Sequence, residues 1–103
     1  TKNKLLNQIK KIFSNNKEIK TIILFGSIAR GEEKVDSDID LFILTENKEK
    51  TEDTIANNRK KIMDTFGNVI SAMVFDKKEY KEKENLAVIK NIKKEGILIL
   101  GKI

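Results

Sequence analysis

Two aspartates separated by one residue stand at the start of an apolar run, and they are the residues of this chain best suited to chemistry. Asp38 and Asp40 flank Ile39, and Leu41–Leu44 follow. Side chains alternate between the faces of a β-strand, so we expect both carboxylates on one face, roughly 6.5–7 Å apart along the chain. Two neighbouring carboxylates repel each other, and a divalent cation offsets that repulsion. Oxygen ligands suit Mg²⁺ or Mn²⁺, and the absence of His and Cys argues against zinc.

A Gly-Ser pair ends the preceding apolar run, where the chain is expected to pass from a strand into a short helix. Gly26 allows close backbone approach, and Ser27 can cap the start of a helix. Free N–H groups at a helix N-terminus attract phosphate, and Arg30, one turn further on, offers a fork of donors to phosphate oxygens. We therefore predict that Gly26, Ser27 and Arg30 bind a nucleotide. Asp38 and Asp40 are predicted to be both the catalytic acids and the metal ligands, which indicates metal-assisted phosphoryl or nucleotidyl transfer.

The combined pattern resembles the signature of the DNA polymerase β-like nucleotidyltransferase superfamily. That signature is present here as Phe25-Gly26-Ser27, ten further residues, and Asp38-Ile39-Asp40-Leu41. The longer string is similar to the minimal, antitoxin-like branch of the superfamily, and it runs from Gly26-Ser27-x-Ala29-Arg30-Gly31 to Ser37-Asp38-x-Asp40-Leu41. The resemblance implies Mg²⁺-dependent transfer of a nucleoside monophosphate from a nucleoside triphosphate, with ATP favoured, to a hydroxyl acceptor. Some minimal members form toxin–antitoxin pairs with a helical HEPN-domain protein and transfer AMP to it, so the resemblance also implies a small protein partner.

The third carboxylate that family members commonly carry near the acid pair has no counterpart in this sequence. The resemblance places it on the strand predicted at 69–75, where Ile70-Ser71-Ala72 contains no acid and Ser71 is the aligned residue. Asp76 follows that strand, but Asp76-Lys77-Lys78-Glu79 is the acidic form of a capping box, so we interpret Asp76 as a helix cap. The missing acid leaves a second interpretation open, namely a nucleotide-binding or metal-binding module, or a protein-interaction module, that has lost turnover.

Helices and strands alternate along the chain and would position these residues. Apolar spacing predicts helices over 4–14, 49–65, 77–83 and 85–95, and strands over 20–25, 38–44, 69–75 and 97–100. We expect the strand at 69–75 to be adjacent and antiparallel to the strand at 38–44, and Met63 and Leu86 to lie on buried helix faces. The predicted fold is α/β (α+β), a small mixed sheet with helices mainly on one face, in a single domain spanning residues 1–103.

Composition limits the partners of this domain. With 39% hydrophobic residues, the 103-residue chain can bury one modest core, and its net charge of +5 permits an acidic partner. Lysines are spread along the chain and aromatic residues are only 6%, so direct nucleic-acid binding is not favoured. No apolar run could span a membrane and no signal-peptide pattern is present, so we expect a cytoplasmic protein. A small domain has little room for an acceptor pocket, and we expect a partner protein or a second copy, a homo-oligomer, to complete it.

Overall fold

The computed structural model describes residues 2–32 and 34–102, which form four strands and five helices. In chain order these are α1 (Lys2–Ile12), β1 (Ile19–Phe25), α2 (Gly26–Ala29), β2 (Ile39–Thr45), α3 (Lys48–Phe66), β3 (Ile70–Phe75), α4 (Lys77–Lys83), α5 (Ala87–Glu95) and β4 (Ile97–Gly101). Every helix and strand predicted from the sequence is present, with ends that agree within two residues.

The four strands form one mixed sheet in the order β3-β2-β1-β4. β1 pairs antiparallel with β2 and with β4, whereas β2 pairs in parallel with β3. The expectation that β3 lies next to β2 is confirmed, but the expected antiparallel orientation is wrong. The reason is α3, a helix of 19 residues whose length of about 28 Å carries the chain back along the sheet, so that β3 starts at the same end as β2.

Helices cover both faces of the sheet, so the expectation that they lie mainly on one face is wrong in detail. α1 and α3, the two longest helices, pack against one face, where the larger core cluster includes Ile9, Ile22, Leu41, Ile43, Ile55 and Ile62. α4 and α5 lie on the other face, where the buried residues are Ile23, Phe42, Phe75, Ile89 and Ile92. Side chains alternate along β2, so Asp40 shares the second face with Phe42. None of the helices in the described ranges has the length and apolar character needed to cross a bilayer.

Two helix starts are set by side-chain caps. The Asn47 side chain accepts a hydrogen bond from the Lys50 N–H at 3.0 Å and begins α3. At α4, Asp76 Oδ1 accepts from the Glu79 N–H at 2.8 Å, and Glu79 Oε1 accepts from the Asp76 N–H at 3.1 Å. This reciprocal pair is the predicted capping box, so Asp76 serves the start of α4 rather than the acid pair.

Two apolar residues expected to be buried are largely exposed. Met63 is 43% exposed, because α3 buries a narrower face that includes Thr51, Ile55 and Ile62. Leu86 is 52% exposed, because it precedes the first turn of α5 as the N-cap residue instead of lying on the inner face of the helix.

Candidate functional site

The acid pair lies at the N-terminal end of β2, on the face of the sheet covered by α4 and α5. Asp40 is the second residue of β2 and the register partner of Phe25, the last residue of β1. Its side chain is partly buried, whereas Asp38, which precedes the strand, is exposed. The end of β1 and the start of β2 therefore bring the Gly-Ser turn and the acid pair together at one end of the sheet.

Hydrogen bonds hold the backbone on both sides of Asp38. On one side, the Ile39 N–H donates to the Val69 carbonyl at 2.8 Å. On the other side, Asn68 Nδ2 donates to the Ser37 carbonyl at 2.6 Å. The segment between α3 and β3 thus clamps the entry to β2, which restricts where the exposed Asp38 carboxylate can lie.

Gly26 brings backbone directly against the Asp40 carboxylate. Its φ is +76°, a backbone conformation that residues other than glycine rarely adopt. A Cβ built on Gly26 would overlap Asp40 Oδ2 and lie only 3.0 Å from Asp40 Cγ. Glycine is therefore required here twice over, once for the backbone conformation and once for the space that the carboxylate occupies.

The charge of Asp40 is poorly compensated by its surroundings. Burial raises the pKa of the Asp40 carboxyl, the neighbouring Asp38 raises it further, and Arg30 partly opposes both. A divalent cation would offset the same two penalties, and two carboxylates are a donor set that suits Mg²⁺ or Mn²⁺.

No further metal ligands are gathered at this site. Among the described residues, no group of three or more His, Cys, Asp or Glu is arranged to hold a metal ion. A cation at Asp38 and Asp40 would therefore take its remaining ligands from water and from phosphate oxygens, which is the coordination that Mg²⁺ prefers in proteins. The residues present thus fit a nucleotide-bound Mg²⁺ ion and do not form a complete protein cage.

Ser27 and Arg30 lie on the same side of the acid pair but differ from expectation in detail. Ser27 is in the first turn of α2, whose N-cap is Phe25, so the expectation that Ser27 caps the helix is wrong. Its hydroxyl makes no hydrogen bond within the described part of the chain. Arg30 follows α2, is exposed, and donates from Nε to Glu32 Oε1 at 2.7 Å. Glu32 raises the pKa of Arg30, and Glu95 and Asp40 make smaller contributions in the same direction.

Ser71 is the register partner of Asp40 on β3. Its side chain is exposed and lies on the edge strand beside the acid pair. The structure thus puts Ser71 where the family resemblance aligned it, and β3 presents a hydroxyl there rather than a carboxylate.

A cavity of about 420 Å³ between α2 and α5 adjoins the site, and sequence reasoning missed it. We call it the α2–α5 cavity. Its lining includes Phe25 and Gly26 next to the acid pair, and a row on α5 formed by Val88, Asn91, Ile92 and Glu95. The available signal was the spacing of these four residues, which puts them on one face of a helix.

A larger groove of about 830 Å³ lies over Leu44 and Tyr80, at the opposite end of β2 from Asp40. Two of the three acids on its wall have other roles: Glu46 pairs with Lys20 at 3.0 Å, and Asp76 belongs to the capping box, while the third is Glu84. The smaller cavity is the better candidate, in spite of the greater volume of this groove, because it lies beside the acid pair.

Comparison with known proteins assigns the family. Residues 7–102 match the family described as Polymerase beta, Nucleotidyltransferase. Over 78 residues the chain is 36% identical to a protein of Methanocaldococcus jannaschii to which protein adenylyltransferase activity is ascribed. The match covers 76% of this chain and 75% of that protein. The chain belongs to the polymerase β nucleotidyltransferase family.

Solved structures of toxin–antitoxin complexes share the fold. A complex with AMP-PNP matches with a TM-score of 0.60 at 20% identity, over 94% of this chain and 73% of the other. A complex of a tri-AMPylated Shewanella oneidensis HEPN toxin with its MNT antitoxin matches with a TM-score of 0.56 at 17% identity, over 99% of this chain and 74% of the other. The predicted mixed α/β fold is thereby confirmed, and it is a fold found in these toxin–antitoxin complexes.

Proposed function

We propose that this chain is a Mg²⁺-dependent nucleotidyltransferase that transfers AMP from ATP to a hydroxyl of a partner protein. The observation that carries the proposal is the contact between the Gly26 backbone and the Asp40 carboxylate. This contact puts the Gly-Ser turn, which a phosphate can approach closely, beside two acids. The two acids would hold a cation next to that phosphate. The adenylyltransferase name of the Methanocaldococcus relative and the AMP-PNP in a complex of the same fold support an adenine nucleotide as the donor. The AMPylated toxin in another such complex supports a protein as the acceptor.

Each site residue has a distinct role in this proposal. Asp38 and Asp40 hold the cation, which when bound would neutralise charge on the α-phosphate and on the departing pyrophosphate. Gly26 and Ser27 contact the β- and γ-phosphates through the backbone of the turn and the free Ser27 hydroxyl. Arg30 turns from Glu32 to the same phosphates, for which its fork of donors is suited.

The reaction itself is an in-line displacement at the α-phosphorus. The acceptor hydroxyl oxygen forms a bond to that phosphorus while the bond from phosphorus to the oxygen bridging the α- and β-phosphates breaks. Pyrophosphate leaves, AMP remains on the acceptor, and the hydroxyl proton passes to solvent, since β3 has Ser71 and no acid beside Asp40. Asp38 and Ser71 are both exposed, so the acceptor side is open to a partner, for which a small HEPN-type protein is our candidate.

The first test is binding of Mg-ATP by calorimetry, with EDTA added to remove the cation. The wild-type chain should bind Mg-ATP and lose that binding in EDTA. The double variant Asp38→Asn/Asp40→Asn should remain folded and lose the binding as well. The matched control is Asp53→Asn/Asp64→Asn, which changes the net charge equally at exposed positions of α3 and should bind as wild type does. Unchanged binding in the Asp38/Asp40 double variant would refute the site assignment.

A second candidate function is a nucleotide-binding partner subunit without turnover, and the exposed Ser71 beside Asp40 favours it. Two-metal chemistry usually draws on a further acidic ligand or base, and the described part of β3 offers none there. Ser71→Asp should tighten Mn²⁺ binding if this position lines the metal site. Transfer of label from the α-phosphate of ATP by the wild-type chain to a protein acceptor would exclude the second candidate, whereas transfer by Ser71→Asp alone would favour it. An unaltered Mn²⁺ affinity in this variant would mean that Ser71 does not line the site.

A further inference from the structure

The α2–α5 cavity has the volume and the lining of a small-molecule subsite. Pockets for small ligands typically span about 300–1,000 Å³ and combine apolar walls with a few polar groups, and this cavity has about 420 Å³. Phe25, Val88 and Ile92 supply apolar surface, while Arg30, Asn91 and Glu95 supply polar groups. Val88 is 47% exposed, an apolar side chain that an occupant of the cavity would cover.

The cavity adjoins the acid pair through Phe25 and Gly26. Gly26 lies on its wall and also touches the Asp40 carboxylate, and Phe25 is the register partner of Asp40. A ligand with phosphates at Gly26 would therefore have its remaining part beside the cavity. Arg30 and Glu95 lie on the wall of the same cavity.

We propose that the α2–α5 cavity receives the nucleobase and that Asn91 and Glu95 select adenine. This inference rests on the nucleotide site proposed above and goes beyond it, because it assigns base recognition to α5, an element outside the sequence motif. Phe25 and the half-exposed Val88 supply the apolar contacts to the base, while Arg30, on the same wall, stays with the phosphates. Asn91 and Glu95, one helical turn apart on α5, face the edge that distinguishes one base from another.

With its N6/N7 edge toward α5, adenine matches these two side chains better than guanine or uracil does. An asparagine amide has a donor and an acceptor, which pair with the N7 acceptor and the N6 amino donor of adenine. The Glu95 carboxylate only accepts, so it favours a base with an amino group on this edge, which adenine has and guanine lacks. Guanine presents two acceptors, N7 and O6, on the corresponding edge, and uracil lacks an amino group, so both would leave an oxygen of the protein facing an oxygen of the base.

The test is calorimetric titration of the full chain with Mg-ATP, Mg-GTP, Mg-UTP and Mg-tripolyphosphate, the last of which has phosphates and no base. Asn91→Leu removes the amide at nearly constant volume, and Asn57→Leu is the matched control at an exposed position of α3. We expect wild type to prefer ATP to GTP and UTP by about tenfold, the lower part of the range for one bidentate amide–base pair. Asn91→Leu should remove this preference and weaken the affinity for Mg-ATP by the same factor, while the affinity for Mg-tripolyphosphate stays unchanged. Asn57→Leu should alter none of these affinities.

The outcomes separate the base subsite from the nucleotide site. Equal affinity of wild type for the three nucleotides, or unchanged Mg-ATP affinity in Asn91→Leu, would overturn the base assignment while Mg-tripolyphosphate binding still upheld the phosphate and metal site. If neither Mg-ATP nor Mg-tripolyphosphate bound to wild type, the proposed function would fail, and this inference would fail with it. Loss of Mg-tripolyphosphate binding in Asn91→Leu would also overturn the assignment, because the residue would then act on the phosphates.

Discussion

Replacement of Gly26 by alanine is the sharpest perturbation that the structure offers, because one methyl group would affect both the backbone and the acid pair. The new Cβ would overlap Asp40 Oδ2, so the carboxylate must rotate or the turn must move away from β2. Gly67→Ala is the matched control. Gly67 has a φ of +73°, close to the +76° of Gly26, but a Cβ built there has no heavy atom within 4 Å.

The two substitutions share a backbone cost and differ at the acid pair. A residue with a Cβ in the left-handed region costs about 1–2 kcal/mol, and a domain of this size loses roughly 4–8 °C in Tm for each kcal/mol. Gly67→Ala should therefore melt about 4–16 °C below wild type, and Gly26→Ala at least as far below, because the overlap with Asp40 adds to the backbone cost. Gly26→Ala should in addition lose Mg-ATP affinity on the order of 10- to 100-fold, because the displaced Asp40 carboxylate would lose a charged contact worth about 1.5–3 kcal/mol.

Differential scanning calorimetry and Mg-ATP titration check these two expectations separately. The titrations are made at a temperature where wild type and both variants are folded, so that loss of binding does not report unfolding. If Gly26→Ala bound Mg-ATP as tightly as Gly67→Ala, the contact between the turn and Asp40 would have no part in nucleotide binding. The argument that carries the proposed function would then be refuted.

Three further predictions concern single side chains. Burial and Asp38 raise the pKa of Asp40, so the folded state binds this proton more readily than the unfolded chain, and the charge costs stability at neutral pH. Asp40→Asn should therefore raise the Tm at pH 7, and this gain should vanish at a pH well below 3.8, the ordinary pKa of an aspartate. Thermal melts of wild type and variant at pH 7 and at that lower pH check both expectations. Glu32→Gln should free Arg30 and tighten Mg-ATP binding by roughly 1.4- to 5-fold, the equivalent of one exposed ion pair, in a titration that weaker binding would contradict. Asp76→Ala should lose about 0.5–2 kcal/mol of stability in denaturant unfolding, because it removes a capping box, while Mg-ATP affinity stays unchanged; a loss of affinity would mean that Asp76 is more than a cap.

Much of the site could be predicted because its signals are local. Strand alternation put Asp40 on a known face of β2, and the Gly-Ser pair marked the turn that follows β1. The capping box at Asp76 was also visible, since it depends on residues only three positions apart. Each of these features involves neighbours in sequence, and each was confirmed.

Features that depend on tertiary packing were not predictable in this way. The alternation along β3 is the same in either direction, so the sequence carried no sign of its parallel pairing with β2. Helical spacing identifies the inner side of a helix but not the width of the buried face, which is why Met63 was misplaced. The α2–α5 cavity joins Phe25 to Asn91 and Glu95 across most of the chain, and only the folded sheet brings them together.

Both halves of the nucleotidyltransferase motif adjoin the two inner strands, because the Gly-Ser pair follows β1 and the acid pair stands at the start of β2. Ser71 on β3 and the strand that follows α5 are at the edges. Amides of the inner pair should be the slowest to exchange with deuterium, because their opening requires loss of the whole sheet, whereas the edges can open locally. The proposed metal end of the site would thus stand beside the strands that are expected to open last. Residues that would meet the acceptor stand at the periphery of the sheet, where substitutions could change the choice of acceptor at little expense to folding.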